Sequence, residues 1–133
     1  MSNEQTVKDL YAAFQRADMN AILALVADTV DWNNNGVASN EVPWNGDFSG
    51  KARLPGFFQA LAANLDFKVF DVKLMVASGA HVAVHLRIES VLKKNGAALK
   101  NDSIHLWTFN ETGKAVKYRH FNDTAAERDA WRG

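Results

Sequence analysis

Hydrophobic residues recur at helical spacing through the first half of the chain and at alternate positions after Asp66. Val7, Leu10, Tyr11 and Phe14 stand at i, i+3, i+4 and i+7, the stripe of an amphipathic helix. Ser2 with Gln5 three residues on forms a capping box, so the pattern predicts a helix over residues 3 to 17. Asp18 caps a second helix that carries Ile22, Leu25 and Val26 and ends near Asp28, giving an αα hairpin. A third stripe, Leu54, Phe57, Phe58 and Leu61, has Ser49 as its candidate cap. Pro55 has no backbone N–H to donate, which predicts a single turn at 50–53 and a helix from 54 to 64.

The stretch from Asp31 to Gly46 is polar and rich in turn residues. Asn-Gly occurs twice in it, and Asn is the residue besides Gly that best tolerates positive φ. Trp32 and Trp44 stand out in such surroundings and imply a segment folded over something apolar, either the core or a ligand. Asp31 and Trp32 begin a first strand, and one of them faces inward. Asp31 is then either a carboxyl whose pKa is raised by an apolar pocket or an exposed residue at the strand end.

Beyond Asp66, Phe70, Val72, Leu74 and Val76 alternate with Asp71, Lys73 and Met75, and Val82, Val84, Leu86 and Ile88 with Ala83, His85, Arg87 and Glu89. Turns at Ser78-Gly79, Lys94-Asn95-Gly96 and 110–113 set off two further strands. Ser103, His105, Trp107 and Phe109 share a face of the first; Val116, Tyr118, His120 and Asn122 share a face of the second, over 114–122. A charged tail with Trp131 follows. Helices followed by antiparallel hairpins predict one α+β domain over residues 1–133, with the helices on one face of the sheet. Such a sheet can roll into a cone whose inner face is a pocket.

The chain has 133 residues, 15 basic and 15 acidic, and no cysteine. Thiol nucleophiles, disulfides and cysteine-bound zinc are thereby excluded. The neutral sum hides an asymmetry: residues 1–66 carry eight acids and four bases, residues 67–133 seven and eleven. The bases are dispersed, so neither a nucleic acid nor an anionic membrane is an expected partner. A small, largely apolar ligand in an uncharged pocket is. The N-terminus has no basic segment leading into an apolar run, and no stretch has the length of a membrane span, so the expected location is the cytoplasm.

His105 and His120 are the sharpest chemical feature. A hairpin closed at 110–113 brings His105, Trp107 and Phe109 face to face with Tyr118 and His120. Two imidazoles and a phenol among aromatic rings make an apolar pocket with few polar groups, the usual form of a small-molecule site. Imidazole titrates near neutrality and serves as general acid or base, although a buried histidine without chemistry fits the pattern too. His81 and His85 are spaced as a metal pair only on a helix. Along a strand they are about 13 Å apart, too far for one ion, so no metal site is expected.

Several strings in order carry a resemblance. They are Leu10-Tyr11-Ala12-Ala13-Phe14, the run from Asp18 to Asp28, Phe48-Ser49-Gly50-Lys51 leading into Phe57-Phe58-Gln59-Ala60-Leu61, and Trp107-Thr108-Phe109-Asn110 with Gly113-Lys114. Together they resemble the NTF2-like superfamily, in its SnoaL-like and ketosteroid-isomerase-like branch. The resemblance implies a cystatin/NTF2-like cone, N-terminal helices packed on a strongly curved, mostly antiparallel sheet that encloses a pocket, and usually a homodimer. It does not imply one reaction, because the fold hosts isomerases, cyclases, hydrolases and binders.

Carried over residue by residue, the isomerase's oxyanion tyrosine falls on Leu10, with Tyr11 beside it; its base aspartate falls near Asn34 and its protonated aspartate on His105. All three depart from that pattern. The cyclases place a polar residue at the end of the first strand and a histidine on a central strand, which Asn33 or Asn34 and His105 match. Their aspartate base belongs on the final strand, where Tyr118 or His120 stands and Asp123 lies further on. The Arg between two Asp that epoxide hydrolases of this fold require has no counterpart. The implied activity is proton transfer on a hydrophobic carbonyl compound without a cofactor, of isomerase or cyclase type. In it His105 or His120 moves the proton, Asn34 and Tyr118 donate to the enolate, and Trp32, Trp44, Trp107, Phe109, Tyr11 and Phe58 contact the substrate. A non-catalytic ligand-binding or dimerisation module is the alternative.

Overall fold

The computed structural model describes residues 2–36 and 41–133. Ser2 Oγ accepts from Gln5 N at 3.1 Å and starts helix α1, Asn3–Gln15. It ends two residues earlier than the stripe predicts because Ala17 turns into the left-handed region, φ 57°. Asp18 then caps helix α2, Met19–Ala24, accepting from Ala21 N at 3.0 Å. The predicted extension to Asp28 does not form. Strand β1, Val26–Asn34, takes those residues, pairing Val26 with Ala115 across the fold. Long-range pairing thus overrides the local helical period, and the first strand begins well before Asp31.

A two-residue strand β2, Gly46–Asp47, pairs with the end of β1. A 3₁₀ turn at Lys51–Arg53 leads into helix α3, Leu54–Asn64, with Pro55 in its first turn, where its missing N–H costs nothing. Ser49 does not cap it. Its hydroxyl accepts from Trp32 N at 3.0 Å and so ties this loop to β1.

Strands β3, Leu65–Ser78, β4, His81–Leu92, β5, Ala98–Phe109, and β6, Ala115–Phe121, complete a six-stranded sheet of order β2-β1-β6-β5-β4-β3. All neighbours are antiparallel except β1 and β6. β3 departs from the predicted alternation. Its register slips between Phe67 and Val69 and again between Val72 and Leu74, and each extra residue moves the following side chains to the other face. Leu74 and Val76 therefore lie outward beside His85 and Ala83, while Met75 pairs with the buried Val84.

The helices cover the inner face of this sheet. Val7, Leu10 and Ala13 of α1 and Leu54 and Phe57 of α3 join Val82, Val84 and Leu86 of β4 and Trp107 of β5 in one buried cluster. The charged tail is helix α4, Thr124–Arg132, whose N-cap Asp123 accepts from Ala126 N at 3.0 Å. Among the described residues no helix is long and apolar enough to cross a membrane.

Candidate functional site

A cavity of about 100 Å³ lies between the helices and the inner face of the sheet. α1 lines it with Leu10, Tyr11 and Phe14, and α3 with Phe57, Phe58 and Leu61. The sheet contributes rows of side chains set by register. Trp32, Tyr118 and Trp107 are neighbours across β1, β6 and β5; one step along, Asn34, His120 and His105 form the next row. The aromatic row is tightly packed, with Trp32 stacked on Tyr118 at a centroid distance of 4.1 Å. The second row is polar and buried.

His105 is held from α1. Tyr11 Oη lies 2.8 Å from His105 Nδ1, and Trp107 Nε1–H donates to the same oxygen at 3.2 Å. Burial pushes the Tyr11 pKa up, so its hydroxyl keeps its proton. Because the indole can only donate, the phenol donates onward to Nδ1. This network puts the proton of neutral His105 on Nε2, as a hydrogen-bond donor.

His120 differs. Its ring sits 5.0 Å from that of His105, centroid to centroid, and neither of its nitrogens has a hydrogen-bond partner among the described residues. Burial lowers its pKa to about 4, and burial together with the charge of His120 lowers that of His105 well below the usual value. Both are therefore neutral at pH 7. Burial likewise raises the Tyr118 pKa well above its usual value, with the nearby Tyr11 adding to it.

Among the described residues one acidic side chain lines the cavity, where composition suggests an uncharged pocket. Glu127 of α4 is 2% exposed. Its Oε2 accepts from Trp44 Nε1 at 3.0 Å and Asn122 Nδ2 at 3.3 Å; its Oε1 accepts from Asn45 Nδ2 and, at 3.4 Å, from Asn35 Nδ2. Asn45 Oδ1 in turn accepts from Asn34 Nδ2 and Asn35 Nδ2, each at 3.0 Å. A buried carboxylate with four N–H donors is a satisfied acceptor, and it binds α4, the end of β1 and the Trp44 segment together.

Of the site residues that the sequence suggests, His105, His120, Asn34, Trp32, Trp44, Trp107, Tyr118, Tyr11 and Phe58 all line the cavity. Phe109 is buried but lies outside its lining, opposite Ala115 where the β5–β6 register slips. Asp31 faces outward. Arg119 Nη2 lies 2.9 Å from Asp31 Oδ2, and that hydrogen bond holds its pKa below the carboxylate norm. Asp123 serves as a helix cap. Glu127 escapes a sequence reading because α4 turns an acid inward, and no apolar stripe advertises the helix. Its one signal is Asp123 before Thr-Ala-Ala-Glu, an N-cap with an acid in the first turn.

The profile of the SnoaL-like domain matches residues 7–118 of the chain. The chain belongs to the SnoaL-like domain family. No curated relative matches its sequence significantly. Among solved structures, an NTF2-like protein of Burkholderia xenovorans LB400 is 27% identical over 96% of this chain and 94% of its own, with a TM-score of 0.87. An NTF2-like protein of unknown function from Burkholderia pseudomallei K96243 is 25% identical over 100% of both chains, also at 0.87. TerC, co-crystallised with polyporic acid, is 22% identical over 98% of both chains, at 0.85. The SnoaL-like domain therefore has the α+β NTF2-like fold. Leu10, Asn34 and His105, onto which the isomerase pattern falls, all line its cavity, and among the described residues no Asp lines it with them.

Proposed function

We propose that this SnoaL-like domain binds a small, largely apolar carbonyl compound and moves a proton on it without a cofactor, in an isomerase- or cyclase-type reaction. The observation that carries the reading is the unequal pair of imidazoles: Tyr11 occupies His105 Nδ1, while both nitrogens of His120 are unengaged beside it. His120 takes a proton from the carbon next to the carbonyl, and the C–H electron pair passes into an enolate. The enolate oxygen accepts from His105 Nε2–H, with the still protonated Tyr118 and Asn34 as further donors. Imidazolium is costly in this buried place on its own, but the enolate formed with it supplies a compensating charge. Return of the proton to another carbon completes an isomerisation; attack of the enolate carbon on a second carbonyl, whose C=O π electrons pass to its oxygen and whose oxygen takes the proton back from His120, completes a cyclisation. The structure of TerC was obtained with polyporic acid, an instance of this fold taken with a small organic compound.

The test uses aromatic ketones and lactones and follows deuterium exchange next to the carbonyl. Wild type exchanges label, and His120→Ala or His105→Ala slows exchange by roughly 10²–10⁴-fold, the usual span of a general acid–base contribution. A wild type that exchanges nothing, yet is stabilised by the same compounds, identifies the alternative, a non-catalytic ligand-binding module. We also propose that the domain pairs with a second copy through the outer face of its sheet.

A further inference from the structure

Next to the histidine pair the cavity contains polar atoms without partners among the described residues. Ser103, 1% exposed, has an Oγ with no hydrogen bond, and Asn122 Oδ1 and the two nitrogens of His120 share that condition. All three residues line the cavity. His105 is opposite His120 and Ile104 opposite Phe121, the last residue of β6, and Ser103 and Asn122 are the next residues along the two chains in the same antiparallel sense. A buried polar atom without a partner is costly, and three residues of this kind at one place on a cavity wall mark where a ligand group belongs.

The direction of each atom defines that group. Asn122 Nδ2 donates to Glu127, a carboxylate that only accepts, so the amide cannot turn over and Oδ1 remains the free end. Asn122 therefore offers an acceptor. The Ser103 hydroxyl can donate. A single ligand atom that donates to Asn122 and accepts from Ser103 is a hydroxyl oxygen. A carbonyl has no hydrogen for Asn122, and a carboxylate or sulfate would meet the Asn122 oxygen with Glu127 behind it. Among the described residues no Lys or Arg lines the cavity to offset such an anion.

We propose that Ser103, Asn122 and His120 form a subsite for a neutral hydroxyl group, so that the ligand is an alcohol or phenol as well as a carbonyl compound. Glu127 is the positioning residue, fixing which end of Asn122 faces the ligand. This deepens the function proposed above and rests on the same cavity holding the ligand, but its test reads binding rather than turnover.

Acetophenone and its 3- and 4-hydroxy derivatives serve as probes, titrated calorimetrically into wild type and Ser103→Ala. Ser103 makes no hydrogen bond through its side chain, so the substitution removes a buried unpaired hydroxyl and leaves the unliganded protein as stable as before or melting a few degrees higher. Wild type binds at least one hydroxylated probe more tightly than acetophenone. Ser103→Ala weakens that probe about 5- to 10-fold and changes acetophenone less than twofold. Equal affinity of wild type for all three probes, or an equal effect of Ser103→Ala on each, overturns the proposal and leaves the corner to water. If the hydroxyl preference is present but no compound undergoes exchange or turnover, the subsite stands and the catalytic reading fails.

Discussion

The two histidines of the cavity are distinguished by one phenol. Tyr11 Oη spends its proton on His105 Nδ1, which leaves His105 a donor, while neither nitrogen of His120 has a partner among the described residues. Tyr11→Phe removes that constraint and leaves the Trp107 N–H and His105 Nδ1 unpaired in the interior. It should lower stability by roughly 1–3 kcal/mol, the cost of unsatisfied buried polar groups. Nitrogen-15 spectra should show a single Nε2–H tautomer for His105 in wild type and a mixture in the variant; an unchanged tautomer would refute the relay. Burial also couples these rings to pH. The unfolded chain binds a proton on His120 near pH 6.5, whereas the native state does so only near pH 4, so stability is complete above about 6.5 and falls as pH drops toward 4. That difference corresponds to about 3 kcal/mol for His120, with His105 acting in the same direction. Urea melts at pH 7 and pH 4.5 should show His120→Leu losing less stability across this interval than wild type. An equal loss in both proteins would mean that His120 titrates normally.

At the scale of elements, helix α4 owes its place to Glu127 more than to an apolar stripe. Glu127→Ala strands the Trp44 N–H and three asparagine amides, and a loss of roughly 3–5 kcal/mol is expected, the range for removing one partner from a buried charged network. Glu127→Gln retains one acceptor oxygen but turns an NH₂ toward other donors, so it should fall between wild type and Ala in a denaturant melt. A neutral Glu127→Ala would show that the donors find other partners. The same element explains what the sequence could and could not reveal. α1, α3 and the strands bearing His105 and His120 announce themselves because their inward positions are apolar or aromatic at a clean period. α4 does not, since its inward residue is an acid whose partners come mostly from residues 35, 44 and 45, distant in sequence, with Asn122 just before the helix. α2 is overread for the opposite reason. Leu25 and Val26 continue a helical spacing, but Val26 is claimed by its pairing with Ala115. The β3 slips are invisible in composition, because Leu74 and Met75 are both apolar and only the pairing partners decide which faces the core.

For the whole molecule, those slips have a consequence for assembly. Leu74, 58% exposed, and Val76, 53%, lie on the outer face with Ile104, Leu106 and Phe121, all of them exposed large hydrophobics. Register aligns them: Leu74 is beside His85, His85 beside Ile104, and Ile104 beside Phe121, so one row crosses four strands. Val76, Ala83 and Leu106 make the next row, which ends on Arg119. An apolar patch continuous over two rows of a sheet exceeds the scattered exposure normal for a monomer, and its rim carries both signs, with Arg87 and Arg119 against Asp102 and Asp31. A two-fold axis sets such a self-complementary patch, apolar with a rim of both signs, on itself, which makes a second copy of this chain the occupant we propose. The cavity lies on the opposite face of the sheet, so pairing and ligand binding are separable. Ile104→Lys with Leu106→Lys should therefore yield a monomer by light scattering at micromolar concentration, where wild type should give a dimer. The double variant should still bind the hydroxylated acetophenones, because neither residue lines the cavity. A monomeric wild type at that concentration would refute the pairing without touching the site. Loss of binding by a folded double variant would instead show that the two faces of the sheet are coupled.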